Sequence, residues 1–474
     1  MTRAKTCRFL GFVFLGVLSV TAGGQETCAS QPAGLSPVES QPAGQSLVEN
    51  GRFQIPGDDE PVKGWTVWRP GFRPNSCDVR RTDEGLLMES PGRPFAVGGV
   101  NQQIPGVKPG SAYRIVATCQ LRNVLSPYRS VMVRVNFLKS GRLIHPSGML
   151  VRGPMAAGEL VRFDDVLVAP EGTEMAEIWL EVKWLQGGSV LWKEVSLVPC
   201  PPPAPRRVKI GTVYLRPRES TPEKNLELFA EKVIEAGELG LDIVCLPEVL
   251  TVVGTGKKSY EVAEPIPGPA TERLGKAARE ARVWVVAGLS ELDGETMYNT
   301  AVLLDREGKL AGKYRKVHLP REEWKEGVSP GHEYPVFETD FGKVAIQICY
   351  DWFFPESHEI FALRGAEIIF APTWGDTSPE KDGMVFGETV FRVRARDFGI
   401  YLVPSVYDGS SMVIDPMGRI LVSNQGKSGL FWCEVDLNQR EPWPWVGYWR
   451  SIGPRDRMPH TYGDLTSEMP GPNY

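Results

Sequence analysis

Residues 342–373 read GKVAIQICYDWFFPESHEIFALRGAEIIFAPT, and their pattern decides the fold of the second half of the chain. An apolar run ends in Cys349, an acidic and aromatic turn follows, Pro355 opens PESHEIFALRG with a helical pattern, and AEIIFAPT is apolar again. Strand, helix and strand, with strands apolar almost throughout, imply a sheet covered by helices. The alternation continues in both directions. Upstream lie the strand RVKIGTVYL and the segment TPEKNLELFAEKVIEAGELG, with Thr221 as N-cap, Pro222 in the first turn and Gly240 at the stop. Leu226, Phe229, Ala230, Val233 and Ile234 fall at helical spacing there. Next come strand LDIVCLPE, helix ATERLGKAAREA, strand VWVVAGLSE and NTAVLLDREGKLAGKY, read as one strand. Downstream, a helix near GETVFRVRARDFG precedes strands IYLVPSVYD and SSMVIDP. The expectation is a layered α/β domain over residues 208–440.

The first half has another texture. From Asn50 to about Val198, short runs such as AYRIVATCQL, VMVRVNFL and AEIWLEVKWL alternate apolar and polar residues between Gly and Pro breaks. This predicts an antiparallel β-sandwich over residues 49–200. Its opening and closing segments, VENGRFQIPGDDEPVKGWTVW and LWKEVSLV, resemble all-β jelly-roll modules of the carbohydrate-binding, galactose-binding-like kind. That resemblance implies a glycan partner for exposed members of Trp65, Trp68, Trp179 and Trp184, although most of them are expected to fill the core. The proline-rich PCPPPAPRR reads as a semi-rigid spacer, with residues 201–207 as the linker.

At 474 residues, with 42% hydrophobic and 23% charged side chains, the chain suits two globular domains. A net charge of −5 offers no basic field for nucleic acid. MTRAKTCR followed by FLGFVFLGVLSV and TAGG reads as an export signal over residues 1–24, because a membrane span needs about 20 apolar residues. The expected location is periplasmic or secreted. Residues 25–48, with the imperfect repeat SQPAGLSPVE and SQPAGQSLVE, read as a flexible linker. Of eight cysteines, Cys7 leaves with the signal, and export would permit a bridge among Cys77, Cys119 and Cys200. The tail, 441–474, is rich in Trp, Arg and Pro.

Glu248, Lys316 and Cys349 each lie at or just beyond a predicted strand end, where groups converge on one rim of a sheet. A thiol beside a cation and a carboxylate can attack an amide carbon, while ammonium and backbone N–H stabilise the oxyanion and the carboxylate moves protons. No metal or cofactor is required. Cys245, two residues before Pro247, reads as core, and His318 as a structural hydrogen-bonding residue. Asp351, Phe354, Pro355 and Glu356 are expected to shape the turn after Cys349.

GLDIVCLPEVL, YNTAVLLDREGKLAGKYRKVHLP and ICYDWFFPE resemble the three signature segments of the carbon-nitrogen hydrolase (nitrilase) superfamily, and APTW, RARDFGIYLVPSV and VIDPMGRIL resemble its later segments. The resemblance implies a four-layer αββα sandwich, a Glu248, Lys316 and Cys349 triad, and a tail, 441–474, that touches another subunit of a homo-oligomer. It also implies a second glutamate among Glu322, Glu323 and Glu326, of which Glu323 is favoured. Tyr350 and Trp374 are the candidate substrate-binding residues. CYDWFFPE is similar to amidase and carbamoylase members, and Trp352 and Phe353 stand where carboxylate-binding arginines are found in some carbamoylases. The implied substrate is a small amide or N-carbamoyl compound in a neutral or aromatic pocket. Two alternatives are nitrile hydrolysis by the same triad and a catalytically silent glycan-binding protein.

Overall fold

The computed structural model describes residues 44–145, 148–375 and 386–467. The export signal and most of the repeat segment lie outside the described residues.

Residues 44–200 form two antiparallel sheets. One runs in the order Thr66–Trp68, Ala96–Pro105, Met175–Leu185, Val131–Lys139 and Arg142–Leu143, with Met149–Leu150 beside the fourth strand. The other runs Asp78–Thr82, Gly85–Glu89, Ser189–Cys200, Ala112–Arg122, Leu160–Val168 and Met155–Ala157. Alternate residues of the central strands, such as Ala176, Ile178, Leu180 and Val182, point into one shared core. Trp65 and Trp192 are buried there, whereas Trp68, Trp179 and Trp184 are half-buried. The sandwich starts earlier than residue 49. Leu47 N–H donates to Leu197 O at 2.8 Å and Val48 is buried, so apolar side chains draw the end of the repeat segment onto the sheet.

The second half is built on twelve strands: β1 Arg207–Tyr214, β2 Ile243–Cys245, β3 Trp284–Asp293, β4 Thr296–Leu304, β5 Leu310–Arg315, β6 Val336–Glu338, β7 Lys343–Ile346, β8 Ile368–Gly375, β9 Tyr401–Asp408, β10 Met412–Ile414, β11 Ile420–Ser423 and β12 Gly429–Asp436. Its longer helices are α1 Pro222–Glu238, α2 Pro269–Ala281, α3 Pro355–Leu363, α4 Phe386–Phe398 and α5 Trp449–Asp456. The sheets are ordered β5-β4-β3-β2-β1-β12 and β6-β7-β8-β9-β10-β11. β1, β2 and β3 are parallel, as are β7, β8 and β9, and antiparallel strands flank both groups.

Alternation along β1 and β2 shows the layering. Val208, Ile210, Ile243 and Cys245 pack against the second sheet in a core that also holds Phe361 of α3 and Phe391 of α4. Val213 and Val244 face the opposite way, onto Phe229 and Val233 of α1 and Leu274 of α2. The sheets are also joined by hydrogen bonds from Thr212 Oγ1 to Pro404 O and from Ser405 Oγ to Val213 O, each 2.7 Å. The arrangement is helix, sheet, sheet, helix. Thr221 caps α1 by accepting from Lys224 N–H at 3.2 Å.

Three details refine the sequence reading. NTAVLLDREGKLAGKY is two strands, because Asp305 Oδ1 accepts from the N–H groups of Glu307 and Lys309 and Gly308 takes φ +76°, closing a turn. The 201–207 linker is pinned at its end, where Arg206 bonds Glu367, Asn438 and the Leu437 carbonyl. The tail packs on its own chain. Arg455, buried, donates to Tyr128 O at 2.5 Å and to Gly153 O in the sandwich, with its guanidinium over the Tyr128 ring. Arg457 reaches Glu359 of α3, and Arg450 reaches Ala366 O, both at 2.5 Å. The described cysteines, Cys77, Cys119, Cys200, Cys245, Cys349 and Cys433, are all unbridged.

Candidate active site

Glu248 stands three residues beyond β2 on a loop laid tightly across β3. Gly288 N–H donates to Pro247 O and Leu250 N–H to Gly288 O. A Cβ at Gly288 would lie 2.6 Å from the Glu248 Cα, so glycine is what allows this approach. Lys316 follows β5, its N–H donating to Asn299 O at 2.9 Å. Cys349 follows β7 at φ +41°, in the left-handed region that non-glycine residues rarely occupy.

The strain at Cys349 is held by Asp351. Its carboxylate, fully buried, accepts from Ile348 N–H at 3.0 Å, Tyr314 Oη at 2.8 Å and His318 N–H at 2.9 Å, and sits 2.8 Å from His318 Nδ1. The His318 ring stacks on Phe354 with centroids 3.8 Å apart. One side chain thereby ties the turn carrying the thiol to the segment carrying the lysine, and the structural part expected of His318 is observed.

Lys316 is 0% exposed. Its ammonium donates to Glu248 Oε1 at 2.9 Å and to Glu323 Oε1. Asn299 Nδ2 donates to the same two carboxylates, at 2.7 Å to Glu248 and 3.2 Å to Glu323. Of the three candidate second glutamates, the structure brings Glu323 to the lysine. Glu326 instead pairs with Lys258 at 2.6 Å, and Glu322 is exposed. A buried cation between two carboxylates is the arrangement that repays its desolvation.

Burial opposes the charge on Lys316, but Glu248, Cys349 and Glu323 together hold it well above the usual lysine range. Burial raises Glu323 above the usual carboxylate range against the pull of the lysine. Burial pushes the Cys349 thiol up to about 12, with Glu248 adding to the rise and Lys316 opposing it. The resting thiol is protonated, so it needs a base at the moment of attack. Glu248 Oε1 is saturated, while Glu248 Oε2 is buried without a partner among the described residues and is open to take a proton.

The other candidates divide. Trp374, at the end of β8, is partly exposed and supplies a backbone hydrogen bond to the Cys349 sulfur. Tyr350 is half-buried and packs against Phe353 and Phe354, with centroids 5.1 and 5.4 Å away. Trp352 is buried beneath Phe353, 4.0 Å between centroids, and Phe353 is exposed. The surface beside the thiol is therefore aromatic. Cys245 is core. Asn299 was not anticipated; a polar residue inside the apolar YNTAVLLD strand was its only signal. Among the described residues, no group of three or more His, Cys, Asp and Glu is placed to hold a metal ion.

Residues 209–444 match the carbon-nitrogen hydrolase family. A nitrilase of Pyrococcus abyssi is 32% identical over 245 residues, 48% of this chain and 90% of that protein. An omega-amidase of Xenopus tropicalis is 30% identical over 233 residues, 45% of this chain and 83% of that protein. Among solved structures, an amidase from Nesterenkonia sp. is 25% identical with a TM-score of 0.43, covering 49% of this chain and 93% of its own. Matched over most of the length of such relatives, and carrying a carboxylate and an ammonium from one sheet that bear electrostatically on a thiol from the other, the chain belongs to the carbon-nitrogen hydrolase family of the nitrilase superfamily.

Proposed function

We propose that the protein hydrolyses a small linear amide or N-carbamoyl compound through a thioester on Cys349. The observation that carries this reading is the buried Lys316 ammonium held between Glu248 and Glu323 and bearing electrostatically on the Cys349 thiol. Glu248 Oε2 takes the thiol proton as sulfur attacks the carbonyl carbon, and the Lys316 ammonium stabilises the developing oxyanion. Glu248 then gives the proton to the departing amine or ammonia as the C–N bond breaks. Water enters, loses a proton to Glu248 and attacks the thioester, and the thiol is restored. Glu323 and Asn299 hold lysine and glutamate in place. The amide activity of the omega-amidase and amidase relatives supports the substrate class.

Intact-protein mass spectrometry tests this on wild type and Cys349→Ala with a panel of small amides, carbamoyl compounds and nitriles, with ammonia followed in parallel. Acyl adducts on wild type alone, with ammonia release, are expected. A reduced, folded wild type that forms no adduct and turns over nothing would refute the proposal.

Export by residues 1–24 belongs to the same proposal, and the N-terminal sequence of protein recovered outside the cytoplasm tests it. For the jelly-roll-like sandwich we propose a glycan, supported by a cleft of about 360 Å³ bordered by Trp68, Arg134, Glu181 and Trp445. Loss of glycan-array binding in Trp68→Ala is expected. Sedimentation tests the expected homo-oligomer.

A further inference from the structure

Tyr407, next to last in β9, is fully buried, and its hydroxyl has no hydrogen-bond partner among the described residues. Its ring meets Trp374 edge-on, with centroids 5.5 Å apart, and Phe229 of α1 at 6.4 Å. Trp374 is the residue whose backbone bonds the Cys349 sulfur, so Tyr407 stands one layer from the thiol. The Glu248 carboxylate is the charge that bears on the phenol, adding to the effect of burial in holding it protonated. Two unsatisfied buried atoms therefore lie in one region, an acceptor at Glu248 Oε2 and a hydroxyl at Tyr407 Oη. A buried hydroxyl left unpaired costs about 1–3 kcal/mol. Phenylalanine would fill the apolar surroundings of this ring without that cost, so the hydroxyl is expected to find its partner in another state of the site.

We propose that Tyr407 positions the hydrolytic water: its hydroxyl and Glu248 Oε2 together hold the molecule that attacks the thioester on Cys349. The inference rests on the thiol-hydrolase reading above. In this step the water passes one proton to Glu248 Oε2 and its oxygen bonds the acyl carbon. The C–S bond of the tetrahedral intermediate then breaks, and the sulfur recovers the proton from Glu248. Tyr407 keeps its own proton throughout and acts only by orienting the lone pair of water. The inference confines Tyr407 to the second half-reaction, because thiol attack requires no water.

The test uses the full chain with p-nitrophenyl acetate, whose leaving group needs no proton. The p-nitrophenolate burst reports acylation, and the steady state reports deacylation. Tyr407→Phe preserves the ring contacts and is expected to give a burst of wild-type rate and amplitude with a steady state 10- to 100-fold slower. An acetyl adduct of 42 Da should then accumulate on Cys349, and kcat and KM should fall together, leaving kcat/KM unchanged. A wild-type steady state in the variant overturns the inference. So does loss of the burst in the variant alone, which would assign Tyr407 to acylation or to architecture. A folded, reduced wild type that neither releases p-nitrophenolate nor forms the acetyl adduct on Cys349 refutes the thiol-hydrolase reading and this inference with it.

Discussion

Replacing Asp351 by alanine removes the acceptor that binds the nucleophile turn to the lysine segment. Four contacts are lost, to Ile348 N–H, Tyr314 Oη, His318 N–H and His318 Nδ1. The His318 groups are half-buried and can turn to water, whereas Ile348 and Tyr314 are buried and cannot. Two orphaned donors at about 1–3 kcal/mol each give a loss of about 4 kcal/mol. With a guanidinium m-value of about 5 kcal/mol/M, the unfolding midpoint should fall by about 0.8 M. Asp351→Asn keeps one acceptor oxygen and should lose roughly half as much. Reactivity should suffer more than stability, because Cys349 is held at φ +41° by this turn, and a misplacement of about 1 Å can cost a factor of about 100. The assay pairs guanidinium unfolding, followed by tryptophan fluorescence, with the p-nitrophenyl acetate burst. An Asp351→Ala protein with a midpoint within about 0.2 M of wild type and a wild-type burst rate would refute the argument.

Three further outcomes are expected. Glu323→Gln should slow acylation by about 10- to 100-fold by loosening Lys316, whereas Glu322→Gln and Glu326→Gln should retain wild-type burst rates; equal effects from all three would contradict the assigned pairing. His358, buried in α3, has its pKa lowered by burial and by Arg394 from 6.5 to about 3. Its contribution to stability is complete above pH 6.5 and is lost as pH falls toward 3, about 2 kcal/mol of it by pH 5; His358→Phe should flatten that slope in unfolding measured from pH 7.5 to 5, and an unchanged slope would contradict it. Arg455→Met should remove the bonds to Tyr128 O and Gly153 O and increase hydrogen exchange in 127–130 and 449–456 by about 100-fold, leaving the burst intact; unchanged protection would count against the tail as a strap.

The candidate catalytic residues were the most legible in the sequence, because each breaks a local pattern. Glu248, Lys316 and Cys349 stand where apolar strands stop, and a thiol followed by Tyr-Asp-Trp-Phe-Phe is hard to explain as packing. The helices and layers of the second half were legible because continuous apolar runs alternate with helical spacings along it. Glu323 could not be separated from Glu322 and Glu326 by pattern, because a loop has no periodicity and only the position of Lys316 selects among them. Asn299 and Tyr407 were missed. One is a lone polar residue in a strand, the other an aromatic that composition alone assigns to the core, and the significance of each depends on Glu248, far away in sequence. The intrachain contacts of the tail were not legible, because Arg455 has no carboxylate at helical spacing; its partners are backbone carbonyls more than 300 residues earlier.

That strap has a consequence for how the protein is made. The contacts of Arg455 with Tyr128 O and Gly153 O span 327 and 302 residues, and β1 pairs with β12 across 215 to 229 residues. During synthesis the sandwich can gather its own core early, since its sheets close within residues 44–200. The hydrolase sheet must wait for residue 436 before β1 gains its outer neighbour, and the sandwich waits for residue 455 before it is fastened. For most of its time on the ribosome the nascent chain carries a finished first module and an open-edged second one. The edge of β1 is then the place where a chaperone, or a second nascent chain, would bind.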